Sequence, residues 1–168
     1  MKRGLFFWFT MMTIALCAQK ASNPSKCDVI RQLLAAAGSG KLGAEARESI
    51  PNDDLETWRA ATTVPGASRC VIQDAVTTKA YTAEYGVVFS AKEDAALTQQ
   101  FHNLTNEFRN CFKSGFKENP IGASDGLFRG LQFEGVGAFA NVNVNFFHIY
   151  NPSDKRQYVS MTIIYDPD

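Results

Sequence analysis

Few residues in this chain have a type and spacing that could do chemistry. The run Gly38-Ser39-Gly40-Lys41 invites comparison with a phosphate-binding loop. That loop needs glycine, four residues, then Gly-Lys-Ser or Gly-Lys-Thr, so that backbone amides wrap a phosphate and a hydroxyl reaches magnesium. Here Ala35 stands where the first glycine should be and Leu42 replaces the hydroxyl residue. The preceding "CDVIRQLLAAA" reads as helix, whereas the motif follows a strand. The run is read as a connector, and no nucleotide, metal or other cofactor is expected.

The other candidates are weak as catalysts. His102 and His148 are the two histidines. His102 sits one step off an apolar stripe with Asn106, not a carboxylate or histidine, four residues on, whereas a metal needs three or four convergent ligands. No Gly-x-Ser-x-Gly elbow ties a serine to either histidine. Asp53, Asp54 and Glu56 are the densest acidic group, but at a helix start such carboxylates serve the helix dipole more readily than they form a glycosidase pair. "NLT" at Asn103 to Thr105 fits a glycosylation acceptor but falls within an expected helix. Asn141, Asn143 and Asn145 are the oddest feature, because asparagine is depleted from strands.

The frame around these residues begins with a leader. Lys2 and Arg3 precede an apolar run from Leu5 to Ala18, too short for a membrane helix and of the length of a signal-peptide core. Residues 1–18 are read as that peptide, with cleavage after Ala18, 19–26 as a flexible leader, and 27–168 as one domain. A lipid anchor on Cys17 is the weaker alternative, since Leu16 precedes it. The chain carries 17 basic and 17 acidic residues, and loss of Lys2 and Arg3 leaves a net charge of −2. With no basic run, a nucleic-acid partner is not expected.

Val29, Ile30, Leu33, Leu34 and Ala37 fall at helical spacing, and Gly38 is expected to close that helix in a left-handed cap. Between residues 38 and 67, "GAEARES" reads as helix extended or restarted. "NDDLETWRAA" reads as a short helix capped by Asn52 and anchored by Trp58. "RCVIQDAV" and "KAYTAEYGVVF" read as strands joined near Thr77 and Thr78, the second with Tyr81, Ala83, Tyr85, Val87 and Phe89 alternating. A capping box from Ser90 to Glu93 then opens a helix striped by Leu97, Phe101, Leu104, Phe108, Cys111 and Phe112, ended by Gly115. A loop through Pro120, Gly122 and Gly126 leads to a strand in "LFRGLQFEG".

"ANVNVNFFHIY" and "QYVSMTIIYD" around "NPSDKR" read as a hairpin. Its register is arguable, because opposing His148 with Val159, Phe146 with Met161, Val144 with Ile163 and Val142 with Tyr165 gathers one apolar face, and a one-residue slip would destroy it. The other face then pairs Asn143 with Ile164, Asn145 with Thr162, Phe147 with Ser160 and Ile149 with Tyr158. The sum is an α+β fold, helices packed on one face of an antiparallel sheet of about five strands, in the order α-β-β-α-β-β-β.

Once Cys17 leaves with the leader, Cys27, Cys70 and Cys111 remain, and export favours one disulfide. The second helix would carry Cys111 about 30 Å from its own start, away from Cys70, so Cys27 with Cys111 is the favoured pair and Cys70 with Cys111 the alternative. The functional expectation is an exported, periplasmic or extracellular, non-catalytic domain. It would bind a protein or glycan through Asn143, Asn145, Phe147, Ile149 and Tyr158, amides beside apolar side chains that can bond and stack together. The alternatives are an exported hydrolase with a site built from loops 38–67 and 114–126, and a structural envelope component.

Overall fold

The computed structural model describes residues 24–51, 56–74, 78–90, 94–122 and 128–166. The chain order is α1 (Lys26–Gly38), β1 (Ala46–Ser49), β2 (Thr57–Ala60), β3 (Arg69–Asp74), β4 (Lys79–Phe89), α2 (Ala95–Cys111), β5 (Phe116–Gly122), β6 (Phe128–Gly135), β7 (Val142–Asn151) and β8 (Arg156–Tyr165). The strands form one antiparallel sheet in the order β1-β2-β3-β4-β8-β7-β6-β5. A helix followed by four strands therefore occurs twice. The halves meet at β4 and β8, where Thr82 lies opposite Thr162 with their hydroxyl oxygens 3.2 Å apart.

The α+β class with helices on one face stands, but the sheet has eight strands where about five were expected. The expected helix in "GAEARES" is instead a 3-10 turn at Leu42–Glu45 followed by β1, and Trp58 lies in β2 rather than anchoring a helix. Asn52, Asp53 and Asp54 lie outside the described residues, and Glu56 is exposed beside β2. The expected loop at Pro120 is β5, an edge strand, where a proline that cannot donate to a second neighbour is tolerated.

Local signals explain the helices. Ser25 caps α1 by accepting from the Asp28 amide, and Lys26, expected in the leader, is its first residue. Gly38 stays helical, 3.6 Å from Val142 were it to carry a Cβ, and the left-handed residue is Gly40. The cap of α2 is Asp94, which accepts from the Ala96 and Leu97 amides, rather than Ser90. Ser90 is still held to the β8 hairpin, its amide donating to Lys155 and its carbonyl accepting from Gln157 at 2.9 Å. Glu93 lies outside the described residues. Buried Gln157 also accepts from the Asp94 amide, so one side chain ties the end of β4 to the start of α2.

One apolar cluster fills the space between helices and sheet. Val29, Ile30, Leu33 and Leu34 of α1 and Leu97, Phe101, Leu104 and Phe108 of α2 meet Ile72, Tyr81, Tyr85, Phe133, Val144, Phe146, Met161 and Ile163. The alternation of β4 holds through Tyr85 and then breaks. Gly86, at a φ of +54°, introduces a register shift that turns Val87 and Phe89 outward, leaving Phe89 72% exposed. The expected disulfide is present, Cys27 joined to Cys111 across a Cα separation of 5.6 Å, while Cys70 is buried and free. Beside the bridge, Lys26 donates to Glu107 at 2.7 Å.

Burial raises the phenols of Tyr81 and Tyr85 well above the ordinary tyrosine range. A tyrosine in the unfolded chain ionises near pH 10, so stability present below that pH falls as pH rises above it. The urea midpoint is expected to hold from about pH 7 to about pH 9 and to decline from about pH 10. Tyr85→Phe, which removes a buried hydroxyl with no hydrogen-bond partner among the described residues, should flatten that decline with little change at neutral pH.

Candidate functional site

Strand pairing fixes which side chains share a face. In β7 and β8 the expected register is observed at all eight pairs, from Val142 opposite Tyr165 to Ile149 opposite Tyr158. Val142, Val144, Phe146 and His148 are buried toward the helices, while Asn143, Asn145, Phe147, Ile149 and Tyr158 are half-buried on the other face. All five proposed binding residues thus lie together on two adjacent strands. Among the described residues both helices pack against the opposite face.

The neighbouring strands extend this outer face. At one level, Phe128 of β6 is opposite Ile149, which is opposite Tyr158, and the Phe128 and Phe147 rings meet edge to face at 5.7 Å. Phe147 can settle there because Gly130 opposite it has no side chain: a Cβ would come within 2.8 Å of the Phe147 ring and 2.7 Å of the Phe146 carbonyl. Beyond the level of Gly130, Phe147 and Ser160, the residues Asn119, Gln132, Asn145, Thr162 and Thr82 stand opposite one another in turn across β5, β6, β7, β8 and β4. Asn145 Oδ1 is shielded from solvent and has no hydrogen-bond partner among the described residues. A recess of about 290 Å³ adjoins this row, lined by Gln132, Glu134, Asn141, Asn143 and Asp166 among others.

Charge on the face is balanced locally. Glu84 of β4, 7% exposed, accepts from Arg156 at 2.9 Å and from Arg69 at 3.4 Å. The Arg156 guanidinium also lies 4.4 Å from the centre of the Tyr158 ring. Burial, with the Glu84 carboxylate, raises the Tyr158 phenol above its ordinary range. A second recess of about 450 Å³, between β2 and β3, holds Arg59 and Arg69, each already near a carboxylate, Glu48 at 3.8 Å and Glu84 at 3.4 Å.

The residues considered for catalysis are scattered. His102 is exposed on α2, and its ring touches Phe101 edge to face. His148 is buried on the helix side of β7, opposite Val159 and Arg129. Thr105 of the glycosylation pattern is buried, its hydroxyl donating to the Phe101 carbonyl. Segment 38–67 contributes β1 and β2 at one edge of the sheet and segment 114–122 contributes β5 at the other, while Gly38 lies beside Val142 of β7. Among the described residues no group of three or more His, Cys, Asp or Glu could hold a metal ion, and no helix is long and apolar enough to cross a membrane.

The sequence reading missed Phe128, Gln132, Asn119, Thr82 and Glu84 as members of this face. The alternation in "LFRGLQFEG", with Leu131 and Phe133 inward, carries a signal for Phe128 and Gln132. Asn119 needed a strand that proline concealed. Comparison of the chain with protein-family models, curated proteins and solved structures finds no match.

Proposed function

We propose that the protein is an exported, non-catalytic binding module that engages a partner through the outer face of β6, β7 and β8. The observation that carries this reading is the meeting of Asn143, Asn145, Phe147, Ile149 and Tyr158, with Phe128 beside them, on the sheet face opposite both helices. Aromatic rings next to amides offer a ligand dispersion contact and directed hydrogen bonds at once, which suits recognition better than proton transfer. Export is supported by the apolar run from Leu5 to Ala18 and is compatible with the Cys27–Cys111 disulfide.

The test is solvent labelling of Tyr158 in the purified protein, with and without a native cell-envelope extract. Labelling that falls on adding extract, and a Phe147→Ser/Tyr158→Ser double variant that no longer captures partner, are the expected results. Unchanged labelling and unchanged capture would remove this face from consideration.

A further inference from the structure

The row Asn119, Gln132, Asn145, Thr162 and Thr82 has a property that a generic sticky surface lacks: it is periodic. Each member comes from a different strand, each is opposite the next in the pairing register, and each carries an amide or a hydroxyl, that of Thr82 being buried and bonded to Thr162 and Gln73. Adjacent strands are about 4.8 Å apart, so the row repeats one hydrogen-bonding group at that interval over about 19 Å, perpendicular to the strands. We infer that the row is a track for a linear, uncharged glycan lying across the strands, an assignment that rests on the open-face reading above and names its ligand.

Three observations select this ligand class. First, an extended peptide advances about 3.3 Å per residue, out of step with the row, whereas a pyranose ring in an extended β-linked glycan advances by a step close to the strand spacing. The usual alternative for a peptide, adding a strand at a sheet edge, meets Pro120 in β5 on one side and the four-residue, register-shifted β1 on the other. Second, none of the five row residues is charged; Asn119 at the β5 end donates to the Glu134 carboxylate at 3.2 Å, and Glu84 near the β4 end is neutralised by Arg69 and Arg156. Hydroxyls match such a track, whereas a polyanion would meet the Glu134 and Asp166 carboxylates that line the adjoining recess. Third, Phe147, the next residue of β7 on this face after Asn145, borders the row where the apolar C–H face of a sugar ring can rest, and the 290 Å³ recess lined by Gln132 and Asn143, with Glu134 and Asp166, gives the chain a place to leave the sheet.

The experiment is calorimetric and NMR titration of the purified protein with cello-, xylo-, manno- and chito-oligosaccharides from dimer to hexamer, with polygalacturonate as a charged control. At least one neutral series should bind with affinity that climbs with length and levels off near five sugars, one per strand of the row. Gln132→Ala/Asn145→Ala should weaken that binding tenfold or more, about the effect of one or two lost hydrogen bonds. Asn119→Ala, a change at a partly exposed position of β5, gives the same test if the double variant does not fold. Binding that ignores these substitutions, or that prefers the charged polymer, overturns the assignment. If no oligosaccharide binds while envelope extract still shields Tyr158, the glycan assignment fails and the open face stands as a protein-binding surface. If neither occurs, both readings fail.

Discussion

Replacing Cys27 and Cys111 together by serine lowers the unfolding free energy by about 4.5 kcal/mol. The bridge joins residues 84 positions apart, and closing a loop of that length removes about 15 cal/mol/K of entropy from the unfolded chain. Against a typical domain stability of about 5–15 kcal/mol this is about three-tenths or more of the total. The double variant is the right probe, because a single substitution would leave a second free thiol in addition to that of Cys70. Chemical denaturation at neutral pH measures the loss. The Lys26–Glu107 pair, at 2.7 Å and partly exposed, holds the same two helix ends but contributes only about 1 kcal/mol. A loss below about 1 kcal/mol in the double variant would mean that helix packing alone restrains the ends of α1 and α2, or that the unfolded chain is already compact.

Phe108→Ala has the second large effect, about 3–5 kcal/mol. Phe108 is 1% exposed and its ring meets those of Phe112, Phe116, Phe133 and Phe146 at centroid distances of 4.7 to 5.5 Å. It thereby joins α2 to β5, β6 and β7 at one point. Truncation removes the transfer energy of the ring and leaves a cavity that four other rings, each pinned elsewhere, cannot fill. The urea midpoint should drop with its slope unchanged, and Phe112→Ala, at a half-buried position, should cost less. Because Cys111 lies one turn beyond Phe108, the two large effects should not add when combined.

Most of the central structure was legible from residue order. The stripe of α2 and the register of β7 with β8 follow from apolar periodicities of 3.6 and 2, and a burial pattern over ten-residue strands leaves one satisfactory pairing. The edges were not legible, for a physical reason. "ARES" and "TWRA" are four residues each, too short to display a period, and Ala, Arg and Glu favour helix when tertiary pairing does not intervene. "FKENPIG" carries a proline and a glycine that would break a central strand but not an edge one. The same gap hid half of the candidate site. The five residues on β7 and β8 were found from the hairpin alone, while the row across β5, β6 and β4 depends on pairings between segments distant in sequence.

The twice-repeated helix and four strands bear on how the molecule is assembled in time. The seam at β4 and β8 joins residues such as Thr82 and Thr162, separated by 80 positions. As the chain emerges from the ribosome, the first half is complete while β4 still has an open edge, and β8, the last of the eight strands to be made, is the one that covers it. Symmetry supplies a substitute: the β4 edge of a second nascent chain is related to it by the same antiparallel rule, so two first halves can pair as a false dimer before either is finished. Each half is in effect a protomer, and covalent linkage makes the correct partner the one always at hand. A chain that ended before Arg156 would leave one edge of β4 and one edge of β7 unpaired, with the most buried residues of the sheet facing an open edge on either side of the gap.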